Sequence, residues 1–259
     1  MAASALFLIV LAAVLAPVIC RYDPDATDIQ AILAPPSASH WFGTDQLGRD
    51  MFSRIVYGAR LSPLAAGGAV CIAGLIGIPF GVLAGYFGGR TDTMMSRVVD
   101  GMMAVPGLIF VLTVVAVLGP GLANLTLAIG LLLAPTFYRV SRAAVMDVRN
   151  NVYIEGSIAI GCTTPQTVLR HVMPNASAPI LVQATLAFAI AVVAEAGLSF
   201  LGLGARPPAA SWGQLLASAT ERMDQAHLLY FPAGALLLTV GCATILGDVL
   251  RDLTTGRRA

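Results

Sequence analysis

The sequence predicts an all-α integral membrane protein with six transmembrane helices. Two features of the composition lead there. Of 259 residues, 57% are hydrophobic and only 11% are charged, where a soluble domain carries roughly 25% charged residues. The mean hydropathy of +0.81 says the same: too few polar side chains are present to cover a water-exposed globule. The third observation is the spacing of the apolar residues into stretches near the ~20 needed to cross a bilayer. They run 4–20, 61–87, 98–118, 121–145, 176–203 and 228–250.

The first stretch is short. It lacks a basic n-region and a small-x-small cleavage site, so an uncleaved anchor over residues 1–20 is expected rather than a signal peptide. An external loop follows over 21–60. Within it, 45–60 reads as an amphipathic helix with Leu47, Met51, Phe52, Ile55, Val56 and Ala59 on one face. Arg49, Asp50, Ser53 and Arg54 fall on the other face, and Asp50 precedes Arg54 by one helical turn, the favourable order for an ion pair. A five-helix core over 61–250 and a tail over 251–259 complete the plan. In the second stretch Gly77, Gly81 and Gly85 recur every four residues and form a groove for a neighbouring helix.

Orientation comes from the arginines. With both termini inside, nine arginines lie on the cytoplasmic side and six outside. The 146–175 loop then faces the cytoplasm, and the 21–60 and 204–227 connections face outward. Trp212 is expected at the outer membrane interface, as an anchor. Among acids inside the spans, Asp100 and Asp248 lie near the cytoplasmic ends, within reach of Arg97 and Arg251. Glu195 lies about 19 residues, or ~28 Å, along the fifth helix, toward the outer leaflet, where it either lines a pathway or bonds to another helix.

The 146–175 loop carries the firmest local signals. Asn151 is placed to cap a helix through Tyr153, Glu155 and Ile158 that ends at Gly161. Thr163 and Gln166 fit a capping box, with Pro165 at the start of a second helix. That helix is expected to run to His171 and to stop at Pro174.

Several chemistries are excluded. All 15 basic residues are arginine, so a P-loop lysine and a Schiff-base lysine are absent. The four cysteines stand singly, with no zinc or disulfide spacing. His40, His171 and His227 are isolated in sequence, and a net charge of +1 does not suggest nucleic-acid binding. No HExxH, GxSxG or paired-Asp motif of an intramembrane enzyme occurs. A secondary transporter is the alternative by composition, although the halves show no internal repeat.

Glu155-Gly156-Ser157, Gly161 and Pro174 resemble the "EAA" signature of ABC-importer permeases, with Gly156 and Ser157 where that family has alanines. Arg170-His171-Val172-Met173-Pro174-Asn175 looks like the ending found in the peptide-importing branch. The block His40 to Asp50 with Ser53-Arg54 and Tyr57-Gly58-Ala59-Arg60 is similar to the one before the permease core of dipeptide and oligopeptide importers. Leu198 to Gly204, Pro207-Pro208 and Ser211-Trp212-Gly213 resemble their end-of-fifth-helix motif. The likeness runs from about residue 35 to 250 and is that of a C-type subunit with the type I ABC-importer permease fold.

That resemblance implies a cytoplasmic coupling helix between helices 4 and 5, carried by Glu155, Gly156, Ser157, Gly161 and Pro174. It implies a bacterial inner-membrane importer that works as a heterodimer with a second permease, two ATPase subunits and an external peptide-binding protein. ATP and Mg would be bound on the ATPases and no cofactor on this chain. Glu195, Ser199 and Phe200 would line the translocation path, and Arg49, Asp50, Arg54 and Trp212 would form an external docking face. Dipeptide, oligopeptide, nickel-chelate, haem and glutathione importers share the pattern.

Overall fold

The computed structural model describes residues 2–222 and 224–255, and it is helical almost throughout. Four helices are each long and apolar enough to cross a membrane: α3 (Met51–Phe87), α6 (Leu122–Arg149), α9 (Met173–Phe200, with the turns preceding it) and α11 (Ala226–Thr255). A further pair of helices has the length and apolar character of a span only when taken together. α4 (Gly89–Ala104) and α5 (Gly107–Leu118) meet at a bend of 89°. The sequence-predicted span over 98–118 is therefore two pieces. Pro106 explains the break: it drives the preceding Val105 out of the helical region, to φ −81° and ψ 127°.

The first apolar stretch is α1 (Ala2–Val14), with a four-residue continuation, α2 (Ala16–Ile19). α1 has 13 residues, short of a full crossing by itself. Its last turn is held from α3, where Arg60 donates to the carbonyls of Ala13 at 2.5 Å and Val14 at 3.0 Å. A cation is favoured there by the negative end of the helix dipole.

α3 does not begin at residue 45 as the amphipathic pattern suggests. Asp45 captures the backbone N–H groups of Leu47 and Arg49 at 2.9 and 3.0 Å, and Gly48 takes φ +71°. That local turn competes with helix formation. Asp50 then caps the helix by accepting from the Ser53 N–H at 2.8 Å. The segment does not form a separate helix; from Met51 it is the first part of a continuous 37-residue helix.

The core is built on the pair α3 and α6, the most extensive helix contact in the molecule, with α9 packed across both. Gly77, Gly81 and Gly85 face α6 as their spacing predicts. A Cβ at Gly81 would lie 2.5 Å from the Tyr138 carbonyl oxygen and 2.8 Å from the Ser141 Cβ. One at Gly85 would lie 2.7 Å from the Arg142 carbonyl oxygen, and Gly77 approaches Ala134 even more closely. α6 reciprocates with Gly130, whose Cβ would lie 2.7 Å from that of Ile72. Around this seam pack Leu125, Ile129, Phe137, Val111, Val115 and Val192, all buried.

α4 is tied to α6 by three polar contacts one turn apart. Asp92 pairs with Arg142, Ser96 bonds Tyr138 at 3.0 Å, and Asp100 pairs with Arg139 at 2.6 Å. Asp100 thus finds its partner on another helix and not in Arg97. Arg149 closes the same side by donating to the Gly85 and Tyr86 carbonyls at the end of α3, at 3.2 and 2.7 Å. α11 runs on through Thr255 into the expected tail; residues 256–259, including Arg257 and Arg258, lie outside the described residues.

Replacing Gly81 with leucine would overpack this seam, at a cost of about 1–3 kcal/mol. The expected result is a lower thermal unfolding midpoint in detergent, with Gly67→Ala, where a Cβ meets no atom within 4 Å, unchanged. Equal midpoints for the two variants would refute the close-packed seam.

Candidate functional site

The 146–175 loop motif folds as two turns of helix joined by a bend. α7 (Val152–Ala159) starts at Asn151, whose extended backbone suits a cap although its side chain turns back to the Val148 carbonyl at 3.1 Å. The chain then bends at Gly161, with φ +90°, a left-handed conformation that glycine adopts without steric cost. A short turn, α8 (Thr164–Thr167), follows, and the Thr163 N–H donates to Gln166 Oε1 at 3.0 Å, one arm of the expected capping box.

Pro174 does not stop this second helix. A π-helical turn over Val168–Val172 leads directly into α9. The wider turn accommodates a proline that lacks an N–H, and the Asn175 amide donates to the His171 carbonyl at 2.7 Å. From Thr164 onward the loop is therefore continuous with α9, while α7 stays a separate helix before the bend.

Glu155 and Gly156 lie on the exposed face of α7, and a Cβ at Gly156 would meet open space. Ser157 points inward, its hydroxyl donating to the Ile154 carbonyl at 2.7 Å. Sequence reasoning missed Ile154, the residue that docks the loop. It is 1% exposed and packs among Val82 of α3, Val145 and Val148 of α6, Val172 of the π-helical turn and Ala176 of α9. One side chain thus joins α7 to the ends of the three core helices. The opposite face presents Val152, Ile158 and Ile160 to the surroundings, Ile160 at 82% exposure.

At the other end, the residues expected on an outer docking face lie inside a compact layer. Asp50 binds His40 Nδ1 at 2.9 Å through one oxygen and caps α3 through the other. Arg54 does not pair with Asp50. It donates to the Pro24 carbonyl at 3.1 Å and lies 3.4 Å from Asp25 and 3.6 Å from Asp45. Arg49 is bound to Asp45 at 2.8 Å. Long-range partners have replaced the local one because the 21–50 segment folds back over the start of α3. Trp212 is not an interfacial anchor: it is 1% exposed, and its indole N–H donates to the Ile55 carbonyl at 3.0 Å. Gly58 makes room for it, since a Cβ there would lie 2.9 Å from the indole Cδ1. Trp41 and Leu47 form the exposed apolar surface of the layer.

Glu195 lies between these ends and is fully buried. Its Oε1 accepts from the Ser199 hydroxyl at 2.6 Å; its Oε2 has no hydrogen-bond partner among the described residues, and the hydroxyls of Ser62 on α3 and Ser211 lie nearby. Ser211 caps α10 (Trp212–Thr220) by accepting from the Gln214 N–H at 3.3 Å, and Ser62 accepts from the Trp212 N–H at 3.2 Å. Gly213 allows α10 to rest on the Ala196 carbonyl, and Gly204 lies against Ser199. Of the three side chains expected along a path, Glu195 and Ser199 are sealed within this cage, and Phe200 alone is exposed.

Comparison with known proteins places this architecture. The family model described as "Binding-protein-dependent transport system inner membrane component" matches residues 77–257. The chain is 39% identical to a probable D,D-dipeptide transport system permease of Escherichia coli (strain K12), over 95% of this chain and 83% of that one. It is 41% identical to a di/tripeptide transport system permease of Pseudomonas aeruginosa, over 95% of this chain and 84% of that one. Identity to an oligopeptide transport system permease of Bacillus subtilis is 39%, over 95% of this chain and 81% of that one. In fold it matches a chain of the MetNI methionine ABC transporter in an inward-facing conformation. The TM-score is 0.63 at 20% identity, covering 78% of this chain and 97% of that one.

Removing the carboxyl by Glu195→Ala would leave the buried Ser199 hydroxyl without its acceptor and cost about 1–3 kcal/mol. Glu195→Gln keeps an acceptor for Ser199 and is expected to lose much less. Thermal unfolding of the two variants in detergent checks this, and an alanine variant as stable as the parent would contradict the cage.

Proposed function

Because the chain belongs to the family of binding-protein-dependent transport system inner membrane components, we propose that it is one permease subunit of an ATP-driven importer of dipeptides and oligopeptides. Three relatives named for peptide transport, each aligned over 95% of this chain, support the substrate class. The absence of lysine from the sequence agrees with ATP and Mg being bound by separate cytoplasmic subunits. A second permease, two ATPases and an external peptide-binding protein complete the assembly, with both termini of this chain in the cytoplasm.

The observation that carries the mechanism is the docking of α7. Its outer face offers Glu155 beside Val152, Ile158 and Ile160 to a partner, while Ile154 is locked among α3, α6 and α9. An ATPase that grips the exposed face moves α7, and Ile154 passes that movement to three core helices together. Closely packed helices shift as bodies rather than deform, so the displacement reopens the spans toward the opposite side in alternating access. Gly161 and the Thr163–Gln166 turn hold α7 at a fixed angle to α9. At the outer end, the layer anchored by Arg49, Asp50, Arg54 and Trp212 supplies a firm surface for the peptide-loaded binding protein. Phe200, at the exposed end of α9, lies along the path.

Gly161→Leu forces a branched side chain into the left-handed conformation, at a cost on the order of 1–3 kcal/mol. The expected outcome is loss of peptide uptake, with the subunit still present in the membrane and peptide no longer stimulating ATP hydrolysis. Substrate-stimulated hydrolysis at wild-type levels in the reconstituted complex would overturn this role.

A further inference from the structure

Arg60 lies where α3 leaves the outer layer and its apolar run begins at Leu61. Beside it, α1, α3 and α9 leave a groove of about 530 Å³, lined by Val10, Val14, Pro63, Leu64 and Phe188, with Arg60 among them. The arginine is the single charged side chain of that lining. Val10, Val14 and Leu64 stand well exposed at its edges, Leu64 at 73%. The guanidinium is fixed, with Nε and one Nη bonded to the Ala13 and Val14 carbonyls and the group lying over the Tyr57 ring at 5.1 Å from its centroid.

Those two bonds use two of the five N–H donors of a guanidinium. The carbonyl ends of α1 supply about half a negative charge, so positive charge remains at the mouth of an apolar groove. We propose that this groove binds an anionic phospholipid. The headgroup phosphate takes the remaining guanidinium N–H groups, and an acyl chain lies along Val10, Val14, Leu64 and Phe188. The ligand chemistry follows from the site: a phosphate suits the planar fork of arginine, and the lining offers nothing but hydrocarbon below it. Arg60 at the boundary of the apolar run is at headgroup depth, on the side of the membrane that bears the 21–50 layer. A bound lipid would wedge α1 against α3 and α9 and fasten the first helix to the core.

The assembled transporter, purified in detergent and examined by native mass spectrometry, tests this with phosphatidylglycerol against phosphatidylcholine of matched acyl chains. Retention of phosphatidylglycerol is expected to exceed that of phosphatidylcholine by about fivefold, the factor that one basic side chain confers near a membrane surface. Leu64→Trp fills the groove from an exposed position without touching the Arg60 contacts and should remove the preference, as should Arg60→Gln. An excess of inorganic phosphate should leave it intact, since the free ion lacks the acyl chain; displacement by phosphate would assign the site to a simple anion and overturn the lipid. Equal retention of the two lipids, a preference that survives both substitutions, or crosslinking of a cysteine at position 64 to the second permease would each overturn the proposal.

Discussion

A single buried carboxylate sets the terms for the rest of the molecule. Glu195 is fully buried, with no basic side chain bonded to it among the described residues; Ser199 donates to one carboxyl oxygen, and the other has no hydrogen-bond partner there. An isolated buried charge or polar group is costly unless its hydrogen bonds are met, so this carboxyl calls for polar neighbours, and the hydroxyls of Ser62, Ser199 and Ser211 gather beside it. They come from α3, α9 and the cap of α10. Two of these serines tie the start of α10, since Ser62 accepts from the Trp212 N–H and Ser211 caps the helix, where Trp212 is seated over Gly58.

The same three helices, α3, α6 and α9, then determine what happens at both ends. The glycine seam lets α3 and α6 approach until backbone meets backbone. With so little side chain between them, little independent motion is left. Ile154 binds the 146–175 loop to this body, and Asp50 and Arg54 bind the 21–50 layer to it. On the proposed reading, force applied at α7 is carried by a packed unit rather than by a flexible tether. The 89° break at Val105–Pro106 is the exception to this continuity, and the ladder of Asp92, Ser96 and Asp100 on α6 is what holds α4 in place.

Much of this was legible in the sequence wherever the signal was local. Hydropathy located the four long helices, and Gly77, Gly81 and Gly85 announced their groove by spacing alone. Gly161 and the Thr163–Gln166 pair marked the bend to the residue. What the sequence did not reveal was decided by partners distant in the chain. A one-turn rule pairs Arg54 with Asp50, but the folded chain offers Asp45 and Asp25 instead. Glu195 reads as an intramembrane charge, and nothing local tells that Ser62 and Ser211 will surround it. Trp212 reads as an interface residue because its depth depends on Gly58, far away in the chain. Pro174 reads as a stop; the π-helical turn that carries the helix through it has no sequence signature of its own.

The central claim is that energy reaches these spans through the exposed face of α7. A photo-crosslinking residue at position 160, on the side of α7 away from Ile154, tests it most directly in the reconstituted transporter. The account predicts an adduct with an ATPase subunit whose yield differs between the nucleotide-free and ATP-bound states. A complex that hydrolyses ATP in response to peptide, yet gives no such adduct in either state, would contradict it.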